Sequence, residues 1–320
     1  MQSTSAPVGA MARASQRAQA IIANIERVLV GKHAQVELAL ATLVAGGHLL
    51  IEDAPGLGKT MLARALAVSI GLQFRRIQFT SDLMPSDVLG GPIYNPKDGS
   101  FIMRPGPVFS NVVLADEINR ANPRAQSALL ECMEEGQITL DGQTLKLPEP
   151  FLVLATQNPI DMAGTYPLPE AQLDRFLVRL SLGYPSLDVE LGLIDTQQFQ
   201  HPIATLTSVC APEDFRELVA AARHTHISPE LARYMAQIVA ATRQHPAVRF
   251  GASPRGTLAL ARISRALSCM RGQDHVDPAI VRKLAGPVLS HRIIVRPHVA
   301  AGRSAEEIVQ EVLASLRTPH

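Results

Sequence analysis

The chain has 320 residues, too many for one small core and enough for a large domain plus a smaller one. Hydrophobic residues make up 47 % and charged residues 18 %, and 30 basic against 29 acidic side chains leave a net charge of +1. This ordinary globular composition supplies no bulk charge with which to hold nucleic acid, although it leaves a local patch open; with 4 % aromatics and no Trp, a base-stacking surface is not expected.

No window approaches the roughly 18 apolar residues of a membrane span, and MQSTSAPVGAMARASQRAQA lacks the apolar core of a signal peptide. Cys132, Cys210 and Cys269 are scattered with no CxxC spacing, which fits reduced core thiols and a cytoplasmic location.

Residues 1–17, rich in Ser, Ala and Gly, read as a disordered tail. From Ala18 to about Gly46 the apolar positions Ile21, Ile25, Val28, Leu29, Val36, Leu40 and Leu43 recur at helical spacing, and Gly31 divides them into two helices. Strands are expected at His48–Glu52, Phe74–Phe79, Val112–Asp116, Phe151–Thr156 and Leu177–Leu182. Several are near-continuous apolar runs, as in a parallel sheet covered on both faces. Asn122, Pro123 and Gly136 mark the start and stop of a helix. QITLDGQTLKL then reads as a hairpin turning at Asp141-Gly142, with Ile138, Leu140, Leu145 and Leu147 on one face and Thr139 and Thr144 on the other.

Beyond Gly183-Tyr184-Pro185-Ser186 the pattern becomes helical without strands. Ser228-Pro229, Ser253-Pro254 and Asp277-Pro278 open three helices, and Leu231, Met235, Ile238 and Val239 form a stripe on one of them. The expected organisation is therefore an α/β domain at 18–184 and a helical domain at 185–320.

The chemistry begins at GHLLIEDAPGLGKTM, residues 47–61. A phosphate-binding loop presents successive backbone N–H groups at a strand-to-helix turn, near the positive end of the helix. Gly56 and Gly58 permit close approach, Lys59 reaches the outer phosphates and the Thr60 hydroxyl is a magnesium ligand; Pro55, Leu57 and Met61 complete the loop. The strict pattern wants glycine at position 53, where this chain has Asp53. That position lies at the strand end, farther from the phosphates than Gly58 or Lys59.

Downstream, Val112-Val113-Leu114-Ala115 runs into Asp116-Glu117. A nucleotide hydrolase needs such a pair at the sheet's C-terminal edge, Asp116 for magnesium and Glu117 to orient and deprotonate water. Alone, the pair reads more readily as a strand end and helix cap; behind a phosphate loop, at the expected order, that reading recedes. Asn158, in Gln157-Asn158-Pro159, stands where it could position water, or it simply opens a turn. Arg175 is either an arginine offered to a neighbouring subunit or the partner of Asp174 or Glu170. Arg255 falls in a first helical turn, where the helix dipole disfavours a cation; a nearby anion such as a nucleotide phosphate would explain it, and a solvated arginine would be tolerated. His224 and His226 have no accompanying ligand cluster and read as solvated.

Taken together, GHLLIEDAPGLGKT, RIQFTSDLMPSDVLG, ADEINRANPRAQSALLECMEE, LATQNPIDMAGTYPLPEAQLDRF and GASPRGTLAL make the chain resemble the MoxR-family AAA+ ATPases from about Ile21 to Ile294. The resemblance implies a P-loop core with a five-stranded parallel sheet of order 5-1-4-3-2 and a C-terminal all-helical lid. By position in those motifs, Lys59 and Thr60 are similar to Walker A, Asp116 and Glu117 to Walker B, Asn158 to sensor 1, Arg175 to the arginine finger and Arg255 to sensor 2. It further implies a helix insert at about 83–107 and a hairpin at 137–147, facing the centre of a ring. ATP and Mg²⁺, a homo-oligomer of hexameric type, a protein client and a von Willebrand factor A domain partner belong to the same expectation, as does chaperone-like remodelling or maturation of protein complexes. The alternatives are a magnesium-chelatase-type motor subunit, a DNA-remodelling AAA+ motor and a nucleotide-gated scaffold.

Overall fold

A computed structural model describes residues 8–97, 99–140, 142–158, 164–196, 202–296 and 302–319. Two helices, α1 (Val8–Glu26) and α2 (His33–Val44), lead into β1 (Leu49–Glu52), α3 (Lys59–Ser69) and β2 (Phe74–Gln78). A short α4 (Pro85–Leu89) and a hairpin, β3 (Gly90–Asn95) and β4 (Ser100–Pro105), precede β5 (Val112–Asp116) and α5 (Pro123–Glu135). A second hairpin, β6 (Gln137–Leu140) and β7 (Gln143–Lys146), is followed by β8 (Leu152–Gln157), α6 (Glu170–Leu173) and β9 (Val178–Leu180). The remainder comprises α7 (Leu187–Thr196), α8 (Pro212–Arg223), α9 (Pro229–Gln244), β10 (Val248–Phe250), α10 (Pro254–Met270), α11 (Pro278–Leu289), β11 (Ile294–Val295) and α12 (Ala305–Ser315).

The main sheet is parallel, in the order β2-β5-β8-β1-β9, which is 5-1-4-3-2 read from its other edge. Its central strands β1, β5 and β8 are largely apolar because they feed two cores, whereas the edge strands carry Arg75, Arg76 and Gln78 on β2 and Arg179 on β9. Leu49, Ile51, Val112, Leu114, Leu152 and Leu154 join one buried cluster, with α1–α3 and the C-terminal helices. Leu50, Val113, Ala115, Val153 and Ala155 join the other, with α5 and the second hairpin. The β6–β7 register pairs Ile138 with Leu145 and Thr139 with Thr144, as the alternation predicts; Asp141 of its turn lies outside the described residues.

The cap signals hold. Asn122 accepts the N–H groups of Arg124 and Ala125 at 3.1 Å, and Gly136 closes α5 at φ 62°. Ser228, Ser253 and Asp277 each accept a first-turn N–H, from Leu231, Arg255 and Ala279.

Two expectations require correction. The tail assigned to 1–17 is helical from Val8, and residues 1–7 lie outside the described residues. Met11, Ala14 and Ala18 continue the stripe of Ile21, Ile22 and Ile25 and are buried with it, while Arg17 pairs with Asp214 and Glu217 of α8. Small residues that read as disorder by composition here allow close helix packing. The C-terminal region is also not wholly helical, since β10 and β11 form an antiparallel pair. At three and two residues they are too short to establish an alternation.

All three cysteines are free and buried; burial pushes the thiols of Cys132 and Cys269 up to about 12 and about 11. No helix among the described residues is long and apolar enough to cross a membrane.

Candidate nucleotide site

The ends of β1, β5 and β8 converge, with the edge strand β2 alongside, on a cleft of about 350 Å³. Pro55, Gly56, Gly58, Lys59, Thr60, Met61, Arg76, Gln78, Asp116, Glu117 and Asn158 line it. Leu57 is outside the lining. Gly56 and Gly58 adopt φ of 85° and 90°, a left-handed region that a side chain would strain, so the loop's glycines are required by backbone shape as well as by proximity. Lys59 begins α3 and its Nζ donates to the carbonyls of Asp53 at 2.8 Å and Ala54 at 3.2 Å. Burial lowers the Lys59 pKa, an effect opposed by the carboxylates of Asp116, Asp53 and Glu117.

Asp53 faces away from this cleft. Its carboxylate accepts hydrogen bonds from Ser181 Oγ at 2.7 Å and from the backbone N–H groups of Leu182 and, at 3.3 Å, Gly183. The residue that breaks the strict phosphate-loop pattern therefore caps the end of β9.

The Asp116-Glu117 pair is held by groups the motif reading did not single out. Thr156 Oγ, fully buried on β8, donates to Asp116 Oδ1 at 2.6 Å and accepts the Glu117 N–H at 2.8 Å. Arg76 donates to Asp116 Oδ2 through Nε at 3.0 Å and Nη2 at 2.6 Å, and Gln78 Nε2 donates to Glu117 Oε2 at 2.9 Å. Glu117 is the one non-glycine among the described residues with positive φ, at 58°, a conformation that costs about 1 kcal/mol or more and turns its carboxylate toward Gln78 and Arg120. The only sequence trace of the Arg76–Gln78 support is two polar residues spaced by two at a strand end.

Arg175 and Arg255 are brought together, but outside this cleft. Both pair with Glu134 at the end of α5, Arg175 at 3.1 Å and Arg255 at 2.5 Å. Neither Asp174 nor Glu170 is the partner of Arg175, and the anion beside Arg255 is a carboxylate. These three residues line a second cavity of about 310 Å³ with Asp174, Arg262 and Arg292. His224 and His226 are both exposed.

Known proteins resemble the chain along most of its length. A family model described as "ATPase family associated with various cellular activities (AAA)" matches residues 48–178, and one described as "AAA lid domain" matches residues 240–312. The chain is 39 % identical to the chaperone MoxR1 of Mycobacterium tuberculosis, over 93 % of its own length and 81 % of the relative's. It is 30 % identical to the protein MoxR of Paracoccus denitrificans, over 93 % and 95 %. The chain belongs to the MoxR family of AAA+ ATPases. Another relative of this MoxR-family chain is YeaC of Bacillus subtilis, 50 % identical over 93 % of both chains. The crystal structure of a putative ATPase from Cytophaga hutchinsonii superposes with a TM-score of 0.90 at 36 % identity, covering 98 % of both chains.

Proposed function

We propose that the protein is an ATP hydrolase that works as a homo-oligomeric ring, with each nucleotide site completed by a neighbour. The observation that carries this reading is a division of the motif residues. Lys59, Thr60, Asp116, Glu117 and Asn158 surround one cleft, while Arg175 and Arg255 stand together on Glu134 in another. Arg76, the arginine in the cleft lining, is committed to Asp116, so the arginine that stabilises the transferred phosphoryl group comes from an adjacent subunit. Arg175 and Arg255 then both act in trans.

The donor set suits a hard cation, with the Thr60 hydroxyl and the Asp116 carboxylate as oxygen ligands at the mouth of the phosphate loop. Mg²⁺ held there would neutralise charge on the β- and γ-phosphates. Backbone N–H groups of residues 56–60 bind the phosphates, aided by the α3 dipole, and Lys59 leaves its loop carbonyls to pair with them. Glu117 orients the attacking water and takes its proton, while Asn158 fixes the water's second hydrogen bond. The neighbour's Arg175 offsets charge on the transferred phosphoryl group.

The output is remodelling of a protein client, with a von Willebrand factor A domain protein as co-partner. The exposed apolar tip of the β3–β4 hairpin, where Tyr94 and Phe101 pair at 5.4 Å, is a surface on which a client can seat. Under this reading 18–184 is the nucleotide-binding unit and 185–320 the lid.

The test is Mg²⁺-dependent ATP hydrolysis per chain over a wide protein concentration range, with Glu117→Gln and Arg175→Ala alongside. Specific activity that rises with concentration, with both variants inactive yet binding nucleotide, is the expected result. Activity independent of concentration and unchanged in Arg175→Ala would sink the shared-site reading.

A further inference from the structure

Asp174 immediately precedes Arg175, and the lid holds it with two side chains. Arg292, in the 3₁₀ turn after α11, has only 3 % of its side chain exposed and donates from Nε to Asp174 Oδ1 at 2.7 Å. The same guanidinium donates to the carbonyls of Asp174 at 3.2 Å, Phe176 at 2.6 Å and Leu177 at 3.3 Å, and to that of Val288. The second oxygen, Asp174 Oδ2, accepts from Ser253 Oγ at 3.0 Å. Ser253 is the N-cap of α10, and Arg255 follows it by two residues. One buried side chain of the lid thus fixes the backbone on both sides of Arg175, and its partner carboxylate is tied to the helix that carries Arg255.

A guanidinium stripped of water is an expensive way merely to fill space, because apolar side chains would pack as well without the desolvation cost. Its planar fork gives direction: each N–H sets the position of one acceptor. Here four of the acceptors belong to residues 174–177, with the half-buried Arg175 between them.

We propose that Arg292 is a positioning residue for Arg175. Through Asp174 and the following carbonyls it couples the arginine loop to the lid of the same subunit, so the placement of that lid sets the reach of the arginine offered to the neighbour. The inference rests on the reading that Arg175 serves a neighbouring site, and it adds that the presenting subunit's lid governs this service.

The experiment mixes subunits of the full chain. Arg292→Lys keeps the charge opposite Asp174 but loses the fork; Asp174→Asn keeps the shape and loses the charge. Each homogeneous variant is expected to lose roughly ten- to a hundredfold in turnover at saturating ATP with its nucleotide affinity unchanged, as for a misplaced catalytic group. Mixing either with Lys59→Ala subunits, which cannot bind nucleotide but present an intact Arg175, is expected to restore turnover. Arg175→Ala mixed with Lys59→Ala is the control. Full activity of both variants overturns the inference, and so does lost activity that mixing fails to restore while the control is restored. A control that is not restored removes the trans role of Arg175 itself, and the inference with it. If Arg292→Lys does not fold, by circular dichroism, Asp174→Asn decides alone.

Discussion

The carboxylate of Asp53 and the backbone N–H of Leu182 join the first residue of the phosphate loop to the end of β9. Lys32 meets the same stretch from the other side, its Nζ donating to the carbonyls of Leu182 at 2.7 Å, Gly183 at 3.0 Å and Tyr184 at 2.8 Å. The segment leading toward α7 is thereby held by one anion and one cation. Asp53→Gly, which restores the strict phosphate-loop pattern, is expected to destabilise the protein by about 1–3 kcal/mol, because it leaves buried donors unpaired. Nucleotide affinity should change little, since the Asp53 side chain points away from the phosphates. Denaturant midpoints and a nucleotide titration check both halves.

Arg76 and Thr156 between them occupy both oxygens of Asp116. A metal ion engaging Asp116 has to compete with Arg76, which is half-exposed and the more easily displaced of the two. Arg76→Gln should therefore lower the Mg²⁺ concentration needed for half-maximal nucleotide binding, by roughly two- to tenfold if the pair is worth ~0.5–1.5 kcal/mol. An unchanged or higher requirement would mean that Arg76 orients Asp116 rather than competing for it.

These contacts also mark what sequence could and could not reveal. Lys59, Thr60, Asp116 and Glu117 are legible because their chemistry depends on neighbours in the chain: a strand, a turn and the residue beside them. The Asn122 cap and the alternation of QITLDGQTLKL are local in the same sense. Thr156, Arg76 and Gln78 act only through β5, to which β8 and β2 are hydrogen-bonded, and that pairing has no signature at either residue. Glu134 acquires its meaning from two arginines at positions 175 and 255. Asp53 looked like a defect of a motif because its partners lie well over a hundred residues away.

His48 gives a pH dependence with a definite sign. Its Nε2–H donates to the Met133 carbonyl at 2.9 Å and its Nδ1 accepts the Val153 N–H at 3.1 Å, so the neutral ring fits between them. Burial lowers its pKa from the ordinary 6.5 to about 4. Below pH 6.5 the unfolded chain takes up a proton that the native chain refuses until about 4, so stability is full above that window and falls as pH drops through it. His48 contributes about 3 kcal/mol to this loss. His291, lowered by burial and by Arg292, acts in the same direction. Urea midpoints at pH 7.5 and 5 should differ, and His48→Gln, which keeps one donor and one acceptor, should reduce the difference.

Tyr94 and Phe101 sit opposite each other on β3 and β4, 55 % and 70 % exposed. Phe101→Ser should leave stability within about 0.5 kcal/mol and basal ATP hydrolysis unchanged, because the side chain touches neither core nor cleft. Loss of client-stimulated hydrolysis in this variant would locate client contact on the hairpin; full retention would place it elsewhere.

The buried cluster that begins at Leu49 and Ile51 of the sheet continues through Ile21 and Ile25 of α1 to Leu260 and Ile263 of α10. Because α1 packs against α3 as well as against α8 and α10, an apolar core runs continuously from sheet to lid beside the polar cavity lined by Glu134, Asp174, Arg255 and Arg292. Heating should melt sheet and lid in one calorimetric transition. Under the proposed function, work extracted from a nucleotide would then pass through the molecule as small sliding displacements of packed helices, more like strain in a single body than the swing of a door.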